Sequence, residues 1–373
     1  MKNVMGVIYT GEKDELLREL TISRAIAALP IAGRYRIIDF IISSMVNSNM
    51  NNVGVIMQKN YHSMMDHLGS GKEYDLHGKN DGLFILPPFL TRDNVGVYHG
   101  LLDALKSNMS YLGRSKQEYI ILCNSQLIFN DRLDGFFANH LEKKADISIL
   151  YSKDKGIVRN GSGSYLMVDK DGLVEIIEYE PTNPSYENTS MEIYLMKREF
   201  LIDLVKQATS HGFHNFVSDI LQRAVIDKSV KVVGFEYHKK AYLIDSITAY
   251  FEANMALLDQ KNRKEMFFGD STVYTKVRDE LPARYSKDTK IQNSLVADGV
   301  VIQGDVESSV IFRGVRIDEG AKIKNCVIMQ DAHVEKGVTL ENCILDKQSR
   351  VKAYGRLIGP KTYPIVIAKS MEV

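Results

Sequence analysis

Residues 311 to 344 read IFRGVRIDEGAKIKNCVIMQDAHVEKGVTLENCI, and their apolar positions return every six residues. The columns that share this period are Ile311, Ile317 and Ile323; Gly314 and Gly320; Ile328, Val334 and Leu340; and Ala332, Val338 and Ile344. A six-residue period with glycines at the turns is typical of a left-handed parallel β-helix, whose coils bury their inward residues by stacking on one another. A β-sandwich, with a period of two, would match some of these columns by chance. We therefore predict a β-helix domain over 286–373.

The chain up to residue 256 has a different pattern, in which short β-rich runs alternate with helical periodicities. The sequence predicts strands at 3–9, 53–57, 119–123 and 147–151 and helices at 37–46 and 133–143. This succession favours βαβ units and a mainly parallel sheet, so we predict an α/β Rossmann-like domain over 1–256. An amphipathic helix at 247–258 closes that domain, and residues 257–285 are expected to be a linker.

The composition excludes several classes of protein. Among 373 residues, 47 Lys and Arg balance 47 Asp and Glu, so no overall charge attracts nucleic acid or anionic lipid. No apolar run approaches the roughly 18 residues of a membrane span. The three cysteines, Cys123, Cys326 and Cys343, are too far apart for a C-x-x-C site and too few for a disulfide framework. We expect a cytoplasmic protein that binds neither nucleic acid nor membrane.

Several segments carry a resemblance to one enzyme family. Residues 33–40 (GRYRIIDF), 52–55 (NVGV), 85–88 (ILPP) and 244–247 (IDSI) closely resemble segments of bacterial ADP-glucose pyrophosphorylase, also called glucose-1-phosphate adenylyltransferase. The resemblance covers nearly the whole chain. It implies a nucleotidyltransferase domain followed by a β-helix, and a role in making ADP-glucose from ATP and glucose 1-phosphate for glycogen synthesis. Residues 69–76 (GSGKEYDL) are similar to the D-type (GlgD) subunits, which accompany a separate catalytic subunit.

The loop after the first strand departs from the family pattern. The family has a G-G-x-G-x-R-L loop there, because glycines let backbone N–H groups approach the phosphates of ATP and the Arg adds positive charge. Here residues 9–20 read YTGEKDELLREL, with one glycine and four acidic residues against two basic ones. The net negative charge repels phosphates. A solvated helix start is the alternative interpretation of this stretch.

Other family site residues are replaced as well. Of two aspartates that bind metal in the family, one matches Asp245 and the other is replaced by Ser125, which is neutral. Mg²⁺ prefers anionic oxygens, so we expect it only if the chain is catalytic, and we assign no metal ligand. Asp245 alone would equally suit a helix N-cap. Glu180 stands where the family has the Lys that faces the sugar phosphate, and Glu192 where it has a glycine.

These replacements point to a regulatory subunit with an impaired active site. The resemblance implies that such a chain assembles with the catalytic subunit as a heterotetramer and changes its response to substrates or effectors. The alternative is a self-sufficient glucose-1-phosphate adenylyltransferase with a rearranged site. A pure sugar-phosphate binding module is a third class, which nothing in the sequence favours.

Three arginines are the candidate effector site. In the family, the region around Arg24, Arg34 and Arg36 helps to bind phosphorylated metabolite effectors, and guanidinium groups suit bidentate phosphate binding. The family's Lys in this region is Ile26 here, which changes the expected effector affinity or specificity. Solvated or structural charges are the other interpretation of these arginines.

Overall fold

The computed structural model describes residues 1–78, 81–88, 98–158 and 163–373. The strands up to residue 243 are β1 (Val4–Tyr9), β2 (Pro30–Ile31), β3 (Tyr35–Arg36), β4 (Val53–Ile56), β5 (Leu83–Leu86), β6 (Tyr119–Asn124), β7 (Leu127–Ile128), β8 (Ile147–Ser152), β9 (Ser164–Val168), β10 (Val174–Tyr179), β11 (Asn188–Lys197), β12 (Val232–Glu236) and β13 (Tyr242–Leu243). The α-helices are α1 (Ile37–Asn47), α2 (His62–Leu68), α3 (Leu101–Ser107), α4 (Met109–Arg114), α5 (Asp134–Glu142), α6 (Arg198–Ser210), α7 (Gln222–Ile226), α8 (Ile247–Ala256) and α9 (Gln260–Phe267).

Thirteen short strands follow α9. They are β14 (Arg284–Tyr285), β15 (Ile291–Gln292), β16 (Leu295–Val296), β17 (Val301–Ile302), β18 (Asp305–Glu307), β19 (Val310–Ile311), β20 (Arg316–Ile317), β21 (Lys322–Ile328), β22 (His333–Val334), β23 (Thr339–Leu345), β24 (Arg350–Val351), β25 (Arg356–Ile358) and β26 (Ile365–Ile367).

The chain forms two compact units that interleave along the sequence. The first consists of Met1–Glu12, Phe40–Ala241 and Asp270–Tyr274, and the second of Lys13–Asp39, Tyr242–Gly269 and Thr275–Val373. The segment 13–39 therefore belongs with the C-terminal strands, although it lies close to the N-terminus. Helix α9 lies inside the stretch 257–285 that the sequence predicts to be a linker.

A nine-stranded sheet is the centre of the first unit. Its order is β10-β9-β11-β6-β1-β4-β5, and β8 pairs with both β11 and β12. The pairs of β1 with β4 and β6, of β4 with β5 and of β8 with β12 are parallel. Strand β11 runs antiparallel to β6, β8 and β9, so the sheet is mixed. The α/β class is confirmed, and the predicted strands and helices agree with the observed ones to within a few residues.

Strand β1 lies at a topological switch point of this sheet. The chain passes from β1 through α1 to β4 on one side, and β6 lies on the other side. In open α/β sheets, ligands bind in the crevice outside the carboxyl ends of the strands at such a point. Tyr9 and Asn124 are neighbours in the β1–β6 ladder. The residues that follow them are therefore the candidates for a ligand site.

A parallel β-helix makes up most of the second unit. Strands β14, β17, β20, β22 and β24 stack in parallel register, and so do β18, β21 and β23. The apolar residues with period six are buried, and all except Ile344 belong to one buried cluster of the β-helix. In its ladders Ile317 pairs with Val334, and Ile323 pairs with Leu340. Gly314 and Gly320 have positive φ angles of 67° and 73°, as the turns between coils require. The predicted hexapeptide β-helix is confirmed.

Within the described ranges, the structure contains no helix with the length and apolar character needed to cross a membrane.

Candidate functional site

At the switch point of the first unit, side chains from two turns of the chain meet. The residues that follow β1 are Thr10, Gly11 and Glu12, and the residue that follows β6 is Ser125. Because β1 and β6 are adjacent and parallel, both turns leave the same edge of the sheet. The turns therefore bring Glu12 against Ser125.

Glu12 and Ser125 form a tight hydrogen-bonded pair. The backbone N–H of Ser125 and its hydroxyl both donate to Oε1 of Glu12, the hydroxyl at 2.6 Å. Ser125 is fully buried, and Oε2 of Glu12 is buried with no hydrogen-bond partner among the described residues. A carboxylate oxygen thus occupies the position where the two donors of Ser125 converge.

This carboxyl group is shielded from water. Burial raises the pKa of Glu12 to about 7, the hydrogen bonds from Ser125 oppose the shift, and the nearby charge of Glu192 adds to it. The carboxyl group therefore titrates near neutral pH, and its ionised form is stabilised mainly by Ser125.

A second carboxylate approaches the end of β6 from β11. Glu192 is buried, has a positive φ of 54°, and lies in the irregular stretch of β11 between Ser190 and Ile193. The side-chain amide of Asn124 donates to Oε2 of Glu192. A non-glycine residue in this backbone conformation is costly, which fits the resemblance that placed a glycine here.

Gly11, the remaining glycine of the loop, is covered by polar side chains. A Cβ atom on Gly11 would overlap Oε1 of Gln58 and the hydroxyl oxygen of Tyr9. Tyr9 donates to Gln58 at 3.2 Å, and Gln58 donates to the carbonyl of Tyr98 at 2.9 Å. This network covers the backbone that would approach a phosphate group in a glycine-rich loop.

Asp245 and Glu180 are the other two sequence-predicted residues of the nucleotide site. Asp245 belongs to the second unit, is half-buried, and its side chain makes no hydrogen bond or ion pair with any described residue. The N-cap of α8 is Ser246, whose hydroxyl accepts from Ala249 N–H at 3.2 Å, so an N-cap role for Asp245 is wrong. Glu180 is exposed with a positive φ of 46°, and its N–H donates to Gly163 at 2.8 Å.

The second unit holds a separate cluster of cations, and its deepest member is Arg24. Nη1 of Arg24 lies 2.7 Å from Oδ1 of Asp346, and the two side chains are only 2% and 1% exposed. Nη2 of Arg24 and Oδ2 of Asp346 have no hydrogen-bond partner among the described residues. This arginine is therefore first of all the counter-ion of Asp346.

The two other predicted arginines differ in exposure. Arg34 is exposed, with its guanidinium carbon 5.6 Å from the centre of the Tyr35 ring. Arg36 is buried, and its N–H donates to Oδ2 of Asp39 at 2.9 Å. Arg34 is thus the member of the three that water reaches most easily.

Three further cations that the sequence did not single out belong to this cluster, namely Lys347, Arg313 and Arg278. Burial, reinforced by the positive charges of Arg36, Arg24 and Arg278, lowers the pKa of Lys347 to about 7, although Asp346 opposes the shift. Burial, followed by the charge of Arg34, also lowers the pKa of Arg313, whose Nε has no hydrogen-bond partner among the described residues. Arg313 is buried, Lys347 is half-buried and Arg278 is exposed. A bound anion would offset the repulsion among these cations.

The comparisons with known proteins agree with this architecture. The nucleotidyl transferase family matches residues 5–260, and the GlmU-like C-terminal hexapeptide family matches residues 281–362. The glycogen biosynthesis protein GlgD of Bacillus subtilis (strain 168) is 34% identical over 373 residues, which cover 99% of this chain and 96% of the relative.

The chain belongs to the GlgD and glucose-1-phosphate adenylyltransferase family. GlgD of Geobacillus stearothermophilus is 33% identical over 86% of this chain and 82% of its own length. The glucose-1-phosphate adenylyltransferase of Geobacillus stearothermophilus is 30% identical over 87% of this chain and 84% of its own length. The family assignment predicted from the sequence motifs is confirmed.

The Mg²⁺ ion implied by this adenylyltransferase family does not fit the residues at the end of β6. Ser125 offers only a neutral hydroxyl, which already donates to Glu12, whereas Mg²⁺ prefers anionic oxygens such as the aspartate that the family has here. Nowhere in the parts of the chain that the structure describes do three His, Cys, Asp or Glu side chains come together to hold a metal ion.

Proposed function

We propose that this GlgD-family chain is a regulatory, catalytically impaired subunit of glucose-1-phosphate adenylyltransferase. It modulates the catalytic subunit that makes ADP-glucose from ATP and glucose 1-phosphate for glycogen synthesis. The two subunits assemble as a heterotetramer.

The observation that carries this proposal is the contact between Glu12 and Ser125. Adenylyl transfer needs a site that attracts a triphosphate and Mg²⁺. At the switch point, the chain instead places a carboxylate on the two donors of Ser125, with Glu192 nearby. In its ionised form, Glu12 opposes both phosphate binding and in-line attack by a sugar phosphate.

An assay of pyrophosphate release tests the proposal. The purified chain is expected to release pyrophosphate from ATP and glucose 1-phosphate at no more than the background rate. A turnover of about 1 per second or faster, within the ordinary enzyme range, contradicts the proposal. The same assay on the catalytic subunit, alone and mixed with this chain, measures the regulatory effect.

The self-sufficient enzyme remains the alternative, and Asp245 distinguishes it. If the isolated chain is active and Asp245→Asn abolishes that activity, the alternative holds. Unaltered kinetics on mixing, together with separate elution of the two subunits, would count against the regulatory role.

The cation cluster of the second unit supports regulation by a phosphorylated metabolite. Arg34 is its exposed member, and a guanidinium group binds phosphate through two parallel hydrogen bonds. Arg34→Ala is expected to weaken the response of the mixed complex to sugar phosphates and inorganic phosphate at least fivefold, because one charge-assisted contact contributes about 1.5–3 kcal/mol. Lys361→Ala, at another exposed cation of the second unit, is the matched control. An effector response unchanged by Arg34→Ala would remove Arg34 from the site.

A further inference from the structure

Between the carboxyl ends of β1 and β6, two hydrogen-bond donors of the chain already bind a carboxyl oxygen of the chain itself. The N–H and O–H of Ser125 converge on one oxygen, Oε1 of Glu12. The position coincides with the topological switch point, where open α/β sheets bind their ligands. A phosphate oxygen is an acceptor of the same kind as the carboxylate oxygen found there.

We infer that Glu12 is the residue that excludes nucleotides from this chain, because its carboxylate occupies the two donors of Ser125 that the phosphates of a nucleotide would otherwise use. The inference rests on the proposed function, and it adds the specific cause of the impairment. Ser125, which stands in place of the family aspartate, accordingly still binds an anion.

The short loop places the glutamate in this position. Only Thr10 and Gly11 separate β1 from Glu12, so the side chain follows directly from the strand and lies beside the end of the neighbouring strand β6.

The competing explanation is charge alone. Glu12, Asp14, Glu15 and Glu19 all repel phosphates at long range, whatever their position. Two variants separate the effect of the hydrogen bonds to Ser125 from the effect of the charge on Glu12. Glu12→Gln removes the charge but keeps a carbonyl oxygen that accepts from Ser125. Glu12→Ala removes both.

Calorimetric titration of the full-length chain with ATP and with inorganic pyrophosphate tests the inference. Wild type is expected to show no saturation up to millimolar ligand. Glu12→Ala should bind both ligands at least tenfold more tightly than wild type, whereas Glu12→Gln should gain less than threefold. Glu15→Ala makes the same charge change at an exposed position and should gain less than threefold as well.

The outcomes are distinct. No gain in Glu12→Ala, in a variant whose thermal unfolding shows that it is folded, overturns the inference and leaves the regulatory proposal standing. An equal gain in Glu12→Gln also overturns it, because charge rather than occupancy would then be responsible. Rapid pyrophosphate release by wild type would instead contradict the proposed function itself.

Discussion

Arg24→Ala is expected to lower the free energy of unfolding by about 3–5 kcal/mol, because it leaves the buried carboxylate of Asp346 without its counter-ion. The pair is 2.7 Å apart and almost entirely removed from water. Asp346 keeps only backbone contacts such as the N–H of Lys347 at 2.6 Å, and its Oδ2 has no partner among the described residues. Denaturant unfolding of wild type and variant measures the difference.

A double variant and a surface variant complete this experiment. Arg24→Ala combined with Asp346→Ala should recover at least about 1 kcal/mol relative to the single variant, because no unpaired charge remains buried. Arg34→Ala should change stability by no more than about 0.5 kcal/mol, as is usual for an exposed position. A loss of under 1 kcal/mol in Arg24→Ala would show that the pair contributes little to folding.

The second large effect is expected in the pH dependence of anion binding to the cation cluster. Burial and the neighbouring arginines lower the pKa of Lys347 from 10.5 to about 7, so above pH 7 this lysine is mostly neutral in the free protein. A bound phosphate favours the charged form and raises the pKa again. Binding above pH 7 therefore takes up a proton, and affinity falls as pH rises through 7 to 9.

The expected size of this effect is up to tenfold in affinity for each pH unit above 7. A sugar phosphate is the suitable ligand, because the second pKa of a phosphate monoester is about 6 and lies below this range. Calorimetry of sugar-phosphate binding to the full-length chain, in two buffers with different ionisation enthalpies, measures the proton uptake directly.

Variants of Lys347 separate it from the other cations of the cluster. Lys347→Arg keeps a charge that does not titrate in this range, so it should keep the affinity at pH 7 and flatten the profile. Lys347→Ala should weaken binding and flatten the profile too. A slope that persists in both variants would assign the titration to a different group.

The same pKa shift has a consequence for folding. The pKa of Lys347 is lower in the folded chain than in the unfolded one, so the unfolded chain binds more protons between pH 7 and 10.5. The contribution of Lys347 to stability therefore increases with pH across this window. At lower pH, where Lys347 is charged, a bound anion offsets the cost of holding this charge in the folded chain. Effector binding is therefore expected to stabilise the second unit.

The parts of the fold that sequence reasoning could predict depend on local periodicity. The six-residue columns predicted the β-helix because each inward residue of a coil must be apolar wherever the coil stacks on another. The four-residue series at 37–46 predicted α1, which the structure gives as Ile37–Asn47. The mixed character of the sheet was not accessible, since the direction of β11 depends on which distant strands it joins.

The candidate sites could be predicted only in part. The replacement by Ser125 and the excess of acidic residues after β1 are visible in the sequence. That Glu12 occupies Ser125, 113 residues away, is not visible, because it depends on β1 and β6 being neighbours. One feature of the sequence could have pointed to Lys347. Asp346 and Lys347 are two charged residues directly after the buried strand β23.

The amino-acid sequence alone determined the two architectures, the family, and the loss of the expected metal and phosphate ligands. These follow from residue types at short, regular spacings, which fix local geometry and the side that must be buried. The tertiary structure decided where the charges go, with Glu12 on Ser125 and Arg24 on Asp346, 322 residues apart. A buried charge is stable only beside a partner that long-range folding brings to it, so no local pattern could specify these contacts.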